Sequence, residues 1–139
     1  MTFRHTKDFK LDEFSIKSYP MRVFLRMCQI MDEEANIFEA FDLTEYADFF
    51  VASTAKKYRQ RGLAQELYKR SLAFLKAEGF KLAKSLFTSP HTRKAVTNLQ
   101  FKELSRINYT DVILEDGDKV FCDSDLKPEH YASLMAKVL

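Results

Sequence analysis

Glycine and proline are scarce in this chain, at three residues each out of 139, and tryptophan is absent. So few backbone breakers exclude a collagen-like or low-complexity protein. The two cysteines, Cys28 and Cys122, cannot build a disulfide framework and show no C-x-x-C spacing. A reducing, cytoplasmic setting is the expectation. No apolar run approaches the length of a membrane span, and the opening "MTFRHTKDFKLDEF" alternates in charge without an apolar core, so no secretory signal is read there. No membrane partner is expected. His5, His91 and His130 stand far apart without ligand spacing, which argues against a metal site.

What is present suits one folded domain over residues 1–139. Apolar residues make up 46% and charged residues 30%, enough for a single core and too little chain for two ordinary domains. Net charge is only +2, yet residues 56–70 hold Lys56, Lys57, Arg59, Arg61, Lys69 and Arg70 against Glu66 alone. A local basic window suits a phosphorylated small molecule or a nucleic-acid backbone. The nucleic-acid reading is the weaker one, because the window lacks interleaved aromatics and acidic residues elsewhere nearly cancel its charge.

Periodicity gives an alternation of helices and strands. Residues 1–19 have no strong period and read as loop with at most a short strand. "PMRVFLRMCQIMDEE" places Val23, Phe24, Met27, Cys28 and Met31 on one helical face, with Pro20 at the permitted first turn. Residues 36–47 read as a connection, and "DFFVAST" reads as a buried strand over 48–54. A helix follows from Ala64 and ends at Gly79. "KLAKSLFT" predicts a second strand, and "SPHTRKAVTNLQ" a helix that Ser89 can cap with Pro90 at its first position. "FKELSRINYTDVIL" predicts a third strand, "EDGDK" a turn, and "PEHYASLMAKVL" either a closing strand or an amphipathic helix. The order is that of an α/β protein.

The junction of strand and helix at "YRQRGLAQELYKR" poses the functional question. A glycine-containing loop there presents backbone amides to a phosphate, and the helix's N-terminal partial charge adds to the attraction. The residues fit neither G-x-G-x-x-G nor the P-loop.

They do resemble another signature. Arg59-Gln60-Arg61-Gly62-Leu63-Ala64 looks like the Gln/Arg-x-x-Gly-x-Gly/Ala loop of the GCN5-related N-acetyltransferases, with Arg59, Gly62 and Ala64 at the signature positions. "SLFTSPHTRKAVTNLQFKEL", "INYTDVILEDGDKVF" and "PEHYASLMAKVL" are similar in order and spacing to the later part of the insect-type arylalkylamine enzymes, so the resemblance covers residues 36–139. It implies a mixed sheet flanked by helices and split into a V between the strand near Phe50–Thr54 and the strand near Leu82–Phe87, without the early strands of the full fold. It further implies acetyl-CoA or another acyl-CoA as cosubstrate. The pantetheine arm would run along Phe50, Val51, Ala52, Ser53 and Thr54, and the pyrophosphate would lie on the amides of Arg59, Gln60, Arg61, Gly62, Leu63 and Ala64. A small primary amine, such as an arylalkylamine, would attack the thioester directly.

Two serines of that subfamily fall here on Thr88 and Thr92, which keep the hydroxyls. Tyr109 or Tyr131 could return a proton to the CoA thiolate. The family's glutamate base belongs to a segment before Pro20 that this chain lacks, and Gln100 stands where glycine is usual, so an altered turn is expected there. Glu33 and Glu34 read as a solvated helix end, Cys28 as core, and His91 as a weaker acid–base candidate. With the early strands missing, the strand at 49–55 would have a bare edge, which predicts either a homodimer through that edge or its coverage by residues 8–17. A non-catalytic acyl-CoA-binding protein of the same fold is the alternative function.

Overall fold

A computed structural model describes residues 1–9, 16–114, 117, 119–121, 126–127 and 130–139. Among these, five strands form one mixed sheet in the order β1-β2-β3-β5-β4. The strands are β1 (Thr2–Thr6), β2 (Glu45–Phe49), β3 (Leu82–Phe87), β4 (Lys102–Asn108) and β5 (Tyr131–Val138). The helices are α1 (Tyr19–Ala35), α2 (Ile37–Ala40), α3 (Leu63–Ala77) and α4 (Pro90–Thr97). Only β2 and β3 run parallel; β1–β2, β3–β5 and β4–β5 are antiparallel.

Alternation along the strands sorts side chains onto two helical layers. Tyr46, Leu82, Leu134 and Ala136 pack with Val23, Met27 and Met31 of α1. Ala47, Phe49, Ala83, Phe87 and Met135 pack on the other face with Tyr68, Leu72 and Leu75 of α3 and Val96 of α4. Each large apolar side chain so buried contributes about 1.5–3 kcal/mol. α1 begins with Pro20 in its first turn and stops at Asn36, which takes a left-handed φ of 40° and donates its amide to Asp32 O at 2.9 Å. α3 runs from a left-handed Gly62 to a turn closed by Gly79, with φ of 72° and 90°.

The structure corrects several expectations. The strand read at 48–54 lies at 45–49, and Phe50–Ala55 is irregular. Its aromatic and β-branched residues mimic a buried strand, but Val51 is exposed, and the amides of Phe50 and Val51 turn to Met1 O at 3.1 and 3.4 Å. The flank of β2 is covered by residues 2–6 rather than 8–17, in a register that runs from Thr2 opposite Phe49 to Thr6 opposite Glu45. Thr2–Thr6 are exposed or half-exposed, so their sequence carries little apolar alternation. Of residues 8–17, only 8, 9, 16 and 17 are described, and none is in a strand.

The third strand stops at Asn108, where a single 3-10 turn, Tyr109–Asp111, takes over. The tail is a strand, inserted between β3 and β4. Ser89 sits at the N-cap of α4 but its side chain makes no capping hydrogen bond. Gln100 adopts the left-handed φ of 66° that glycine usually supplies, so the turn is kept rather than altered. Cys122 and most of "EDGDK" lie outside the described residues; Gly117 donates its amide to Leu114 O at 2.9 Å, which closes a turn there.

Candidate functional site

The sheet splits because its two halves are held from opposite sides. β2 and β3 pair through Ala47–Ala83, Asp48–Lys84 and Phe49–Ser85, and Ser85 Oγ donates to Phe49 O at 2.7 Å. Beyond that point the chain after β2 is drawn toward Met1, which accepts two amides and donates its ammonium to Val51 O at 2.7 Å. Leu86 and Phe87 stay paired with Leu134 and Ser133 of β5. A V opens between them.

The V holds a cleft of about 320 Å³. Phe49, Tyr68 and Ser85 form its floor, Phe50–Ala52 one wall and Leu86–Thr88 the other, with Met21 and Phe24 of α1 and Thr92 of α4 at the rim. Its lining is apolar apart from backbone and the hydroxyls of Tyr68, Ser85, Thr88 and Thr92. The amides of Ala52, Ser53 and Thr54 meet no protein acceptor among the described residues. They form an open edge on which an extended, amide-bearing ligand can pair.

The basic loop follows directly. Lys56–Tyr58 make a 3-10 turn, and Arg59 leaves it extended and donates Nε to Thr54 O at 3.0 Å. Gln60 and Gly62 are both left-handed, with φ of 61° and 72°. A Cβ at Gly62 would meet nothing within 4 Å, so conformation, not crowding, favours glycine there. The first-turn amides of Leu63, Ala64 and Gln65 lack intrahelical acceptors and no side chain caps them. With Arg59 and Arg61 alongside, this is an anion-attracting helix start. Farther along α3, Arg70 is engaged by Glu66 at 2.8 Å.

Of the other residues singled out in the sequence, Thr88 and Thr92 both line the cleft, and Tyr109 donates its hydroxyl to Thr88 O at 2.7 Å. Burial pushes the Tyr109 hydroxyl up, partly offset by the charge of Arg93 and the Thr88 bond, so it stays protonated at neutral pH. The guanidinium groups of Arg93 and Arg106 lie 3.8 and 3.9 Å from the ring centre of Tyr131, which does not line the cleft. His91 is exposed and does not line the cleft. Glu34 accepts the Ser105 hydroxyl at 2.5 Å, and Glu33 accepts from Gln29.

Sequence reading missed Ser85 and a charged cluster on the α1 face. Lys84, 3% exposed, lies 2.8 Å from both Asp32 and Asp48, and His5 Nδ1 lies 3.6 Å from Asp48 while its ring stacks on Tyr46 at 4.7 Å. Burial alone would push the Lys84 ammonium down, but the two carboxylates outweigh it and hold it well above the ordinary lysine range. Burial likewise pushes Asp48 up, yet the bond from His5 and the charge of Lys84 bring it below the usual carboxylate value; for Asp32 burial wins over Lys84 and the value rises. A charged residue inside each of two otherwise buried strands, "YADF" and "LAKSLF", was the available signal, since buried charges require partners. These groups line a second pocket of about 160 Å³ that shares Phe24, Phe50 and Leu86 with the cleft.

The mixed sheet that parts beside an uncapped, glycine-started helix shares its fold with solved N-acetyltransferase structures. No protein-family model and no curated protein matches the sequence. Among solved structures, the chain is similar to arylalkylamine N-acetyltransferase 2 from Aedes aegypti, with a TM-score of 0.81 at 22% identity, over 99% of this chain and 65% of that one. The mosquito arylalkylamine N-acetyltransferase like 5b gives 0.84 at 19% identity, over 100% and 66%. The C-terminal condensation domain of Ebony, in complex with β-alanyl-dopamine, gives 0.78 at 20% identity, over 99% and 65%. The chain thus spans about two thirds of the length of these proteins, and likeness at such identities establishes the fold.

Proposed function

We propose that this chain binds an acyl-CoA and transfers its acetyl or short acyl group to a small primary amine of the arylalkylamine type, in a reducing cytoplasmic setting. The observation that carries this reading is the parting of β2 and β3 at Phe49–Ser85, which opens an apolar cleft between free amides on one arm and hydroxyls on the other. The pantetheine arm would pair with the edge at Ala52, Ser53 and Thr54, and the pyrophosphate would rest on the loop amides from Arg59 to Ala64. Solved structures of the same fold are described as arylalkylamine N-acetyltransferases and as a domain bound to β-alanyl-dopamine, which supports an arylalkylamine, and at a lower TM-score of 0.72 as a polyamine N-acetyltransferase, which makes a polyamine the alternative amine.

The chemistry balances with these groups. The amine must lose a proton to become nucleophilic; its nitrogen then forms the C–N bond as the C–S bond breaks, and the thiolate takes up a proton to leave as CoA thiol. Thr88 and Thr92 offer hydroxyls for proton passage, and Tyr109, whose hydroxyl proton is given to Thr88 O in the fold, would have to leave that bond to protonate the thiolate. A backbone amide of the open arm would stabilise the carbonyl oxygen as charge develops on it.

The reading is tested by thermal unfolding with and without CoA and acetyl-CoA. Ligand at a hundred times its dissociation constant should add about 2.7 kcal/mol to the native state. Gly62→Glu puts a carboxylate in the cradle and should abolish that gain relative to its own unliganded baseline. Gly62→Asn tolerates the left-handed backbone without charge and should retain it. No gain in the unmodified protein overturns the reading.

A second reading, a non-catalytic acyl-CoA-binding protein, draws on one observation: among the described residues no carboxylate, imidazole or amine side chain lines the cleft. It predicts the same thermal gain with no amine acylation.

A further inference from the structure

α3 carries two apolar faces where a surface helix needs only the one that meets its own core. Tyr68, Leu72 and Leu75 turn inward and pack in the same core as Phe49, Ala83 and Phe87. Leu63, Leu67 and Phe74 lie on another side of the helix, at 47%, 54% and 63% exposure. Apolar side chains scattered singly over a surface are ordinary, whereas a continuous stripe of them marks a contact.

The spacing says what kind of contact. Leu63, Leu67, Arg70, Phe74 and Ala77 follow at intervals of four, three, four and three residues, and all five are exposed. That alternation is the seam of a helix that packs lengthwise on another helix. The 15 residues of α3 extend about 22 Å, which gives room for two heptads.

One charged residue inside the stripe selects the occupant and its direction. Arg70 gives Nε to Glu66 at 2.8 Å, and a guanidinium has further N–H donors with which to serve a second carboxylate. In a parallel pair of α3 helices Arg70 would stand against Arg70 of the second copy, a like-charge contact. In an antiparallel pair with its two-fold axis between Tyr68 and Lys69, Leu63 faces Phe74 of the second copy and Leu67 faces Arg70 of the second copy. The stem of that arginine covers Leu67, and its guanidinium reaches the neighbouring Glu66. Every contact then occurs twice, as an isologous interface requires. An anionic lipid surface fits the stripe worse, because Glu66 and Glu78 flank it at the helical period while Lys69 and Lys76 fall farther round.

We propose that the outer stripe of α3 is the interface of an antiparallel homodimer, its occupant being α3 of a second copy of this chain. The inference stands apart from the acyltransferase reading, since it uses neither the cleft nor the loop amides.

The test is sedimentation equilibrium of the whole chain across the micromolar range, because a single helix pair makes an interface at the small end of those that form specific complexes. The parent should approach twice its monomer mass as concentration rises. Phe74→Lys and Leu63→Glu, both at exposed positions that folding tolerates, should each weaken association about tenfold or more, since either leaves an unpaired charge at both ends of the dimer. Mixing the two variants should restore it. In the antiparallel pairing one end of the mixed dimer joins the new lysine to the new glutamate, and the other keeps Leu63 against Phe74. A parent that stays monomeric, a dimer that both variants leave intact, or a mixture no more associated than its components overturns the inference; the first of these outcomes leaves the stripe to a protein of another kind.

Discussion

Below the Phe49–Ser85 pair β2 and β3 are joined, and above it they are apart, and the two regions carry different chemistry. In the joined half, fixed charges are buried and mutually satisfied: Lys84 between Asp32 and Asp48, with His5 behind. In the parted half, among the described residues, no carboxylate, imidazole or amine side chain lines the cleft, only hydroxyls and amides without a protein acceptor. Pairing decides which of the two the chain can support. Where backbone groups satisfy one another, a strand can hold side-chain charges against a helix; where the strands diverge, the backbone itself becomes the polar surface offered to a ligand.

The comparison breaks most severely at Lys84. Replacing it with methionine leaves two carboxylates facing each other without a cation, and removing one partner of a buried ion pair costs about 3–5 kcal/mol. Urea unfolding should show that loss, and the triple change Lys84→Met, Asp32→Asn, Asp48→Asn should recover much of it. A single variant as stable as the parent would mean that the cluster is solvated.

Acid reaches the same network from the other side. Asp48 has a depressed value in the fold, so its contribution is present above the unfolded aspartate value of about 3.9 and is lost as pH falls through its own lower value. Asp32 works in the opposite sense: its value is raised, so protonating it at mildly acid pH favours the fold, and its ionisation costs stability as pH rises. The acid limb of a stability profile should therefore steepen below about pH 4, and Asp48→Asn should flatten it while Asp32→Asn should not.

At the apex itself the effect is smaller. Ser85→Ala removes the hydroxyl that binds Phe49 O at the last pair before the split. A loss of about 0.5–1.5 kcal/mol is expected, with faster hydrogen exchange at Phe50 and Val51, which follow β2. Unchanged exchange would assign the position of the V to the pull of Met1 and β5 alone.

How far the sequence discloses this arrangement follows the same division. α1, α3 and β3 are legible because their buried faces repeat at the helical or strand period, and the loop at Arg59–Ala64 because its glycine sits where strand gives way to helix. β1 is not, since an exposed strand such as Thr2–Thr6 has no apolar face to betray it. The end of β2 is misread because Phe50 and Val51 have strand-like side chains while their amides leave the ladder. The insertion of β5 between β3 and β4 is a long-range choice that no local pattern encodes. The charged cluster is spread over β1, α1, β2 and β3, so only the fold assembles it.

Gln100 offers the finest test of how local preference and fold interact. It holds a left-handed φ of 66° at the turn into Phe101, a conformation that costs an ordinary residue roughly 1–2 kcal/mol. Two things offset this here: Phe101, 4% exposed, must enter the aromatic cluster around Tyr68, and the Gln100 side chain accepts from Lys137 Nζ at 3.2 Å. Gln100→Gly relieves the backbone but forfeits that contact and adds freedom to the unfolded chain, so the net gain should stay below about 1 kcal/mol. Asparagine should fall between glycine and glutamine, and valine should lie below all three, because a β-branched side chain resists this φ most strongly. Unfolding midpoints in the order Gly, Asn, Gln, Val would show that the turn is imposed by packing of Phe101. A midpoint for valine equal to that of glutamine would mean that the turn has relaxed and the aromatic cluster does not hold it.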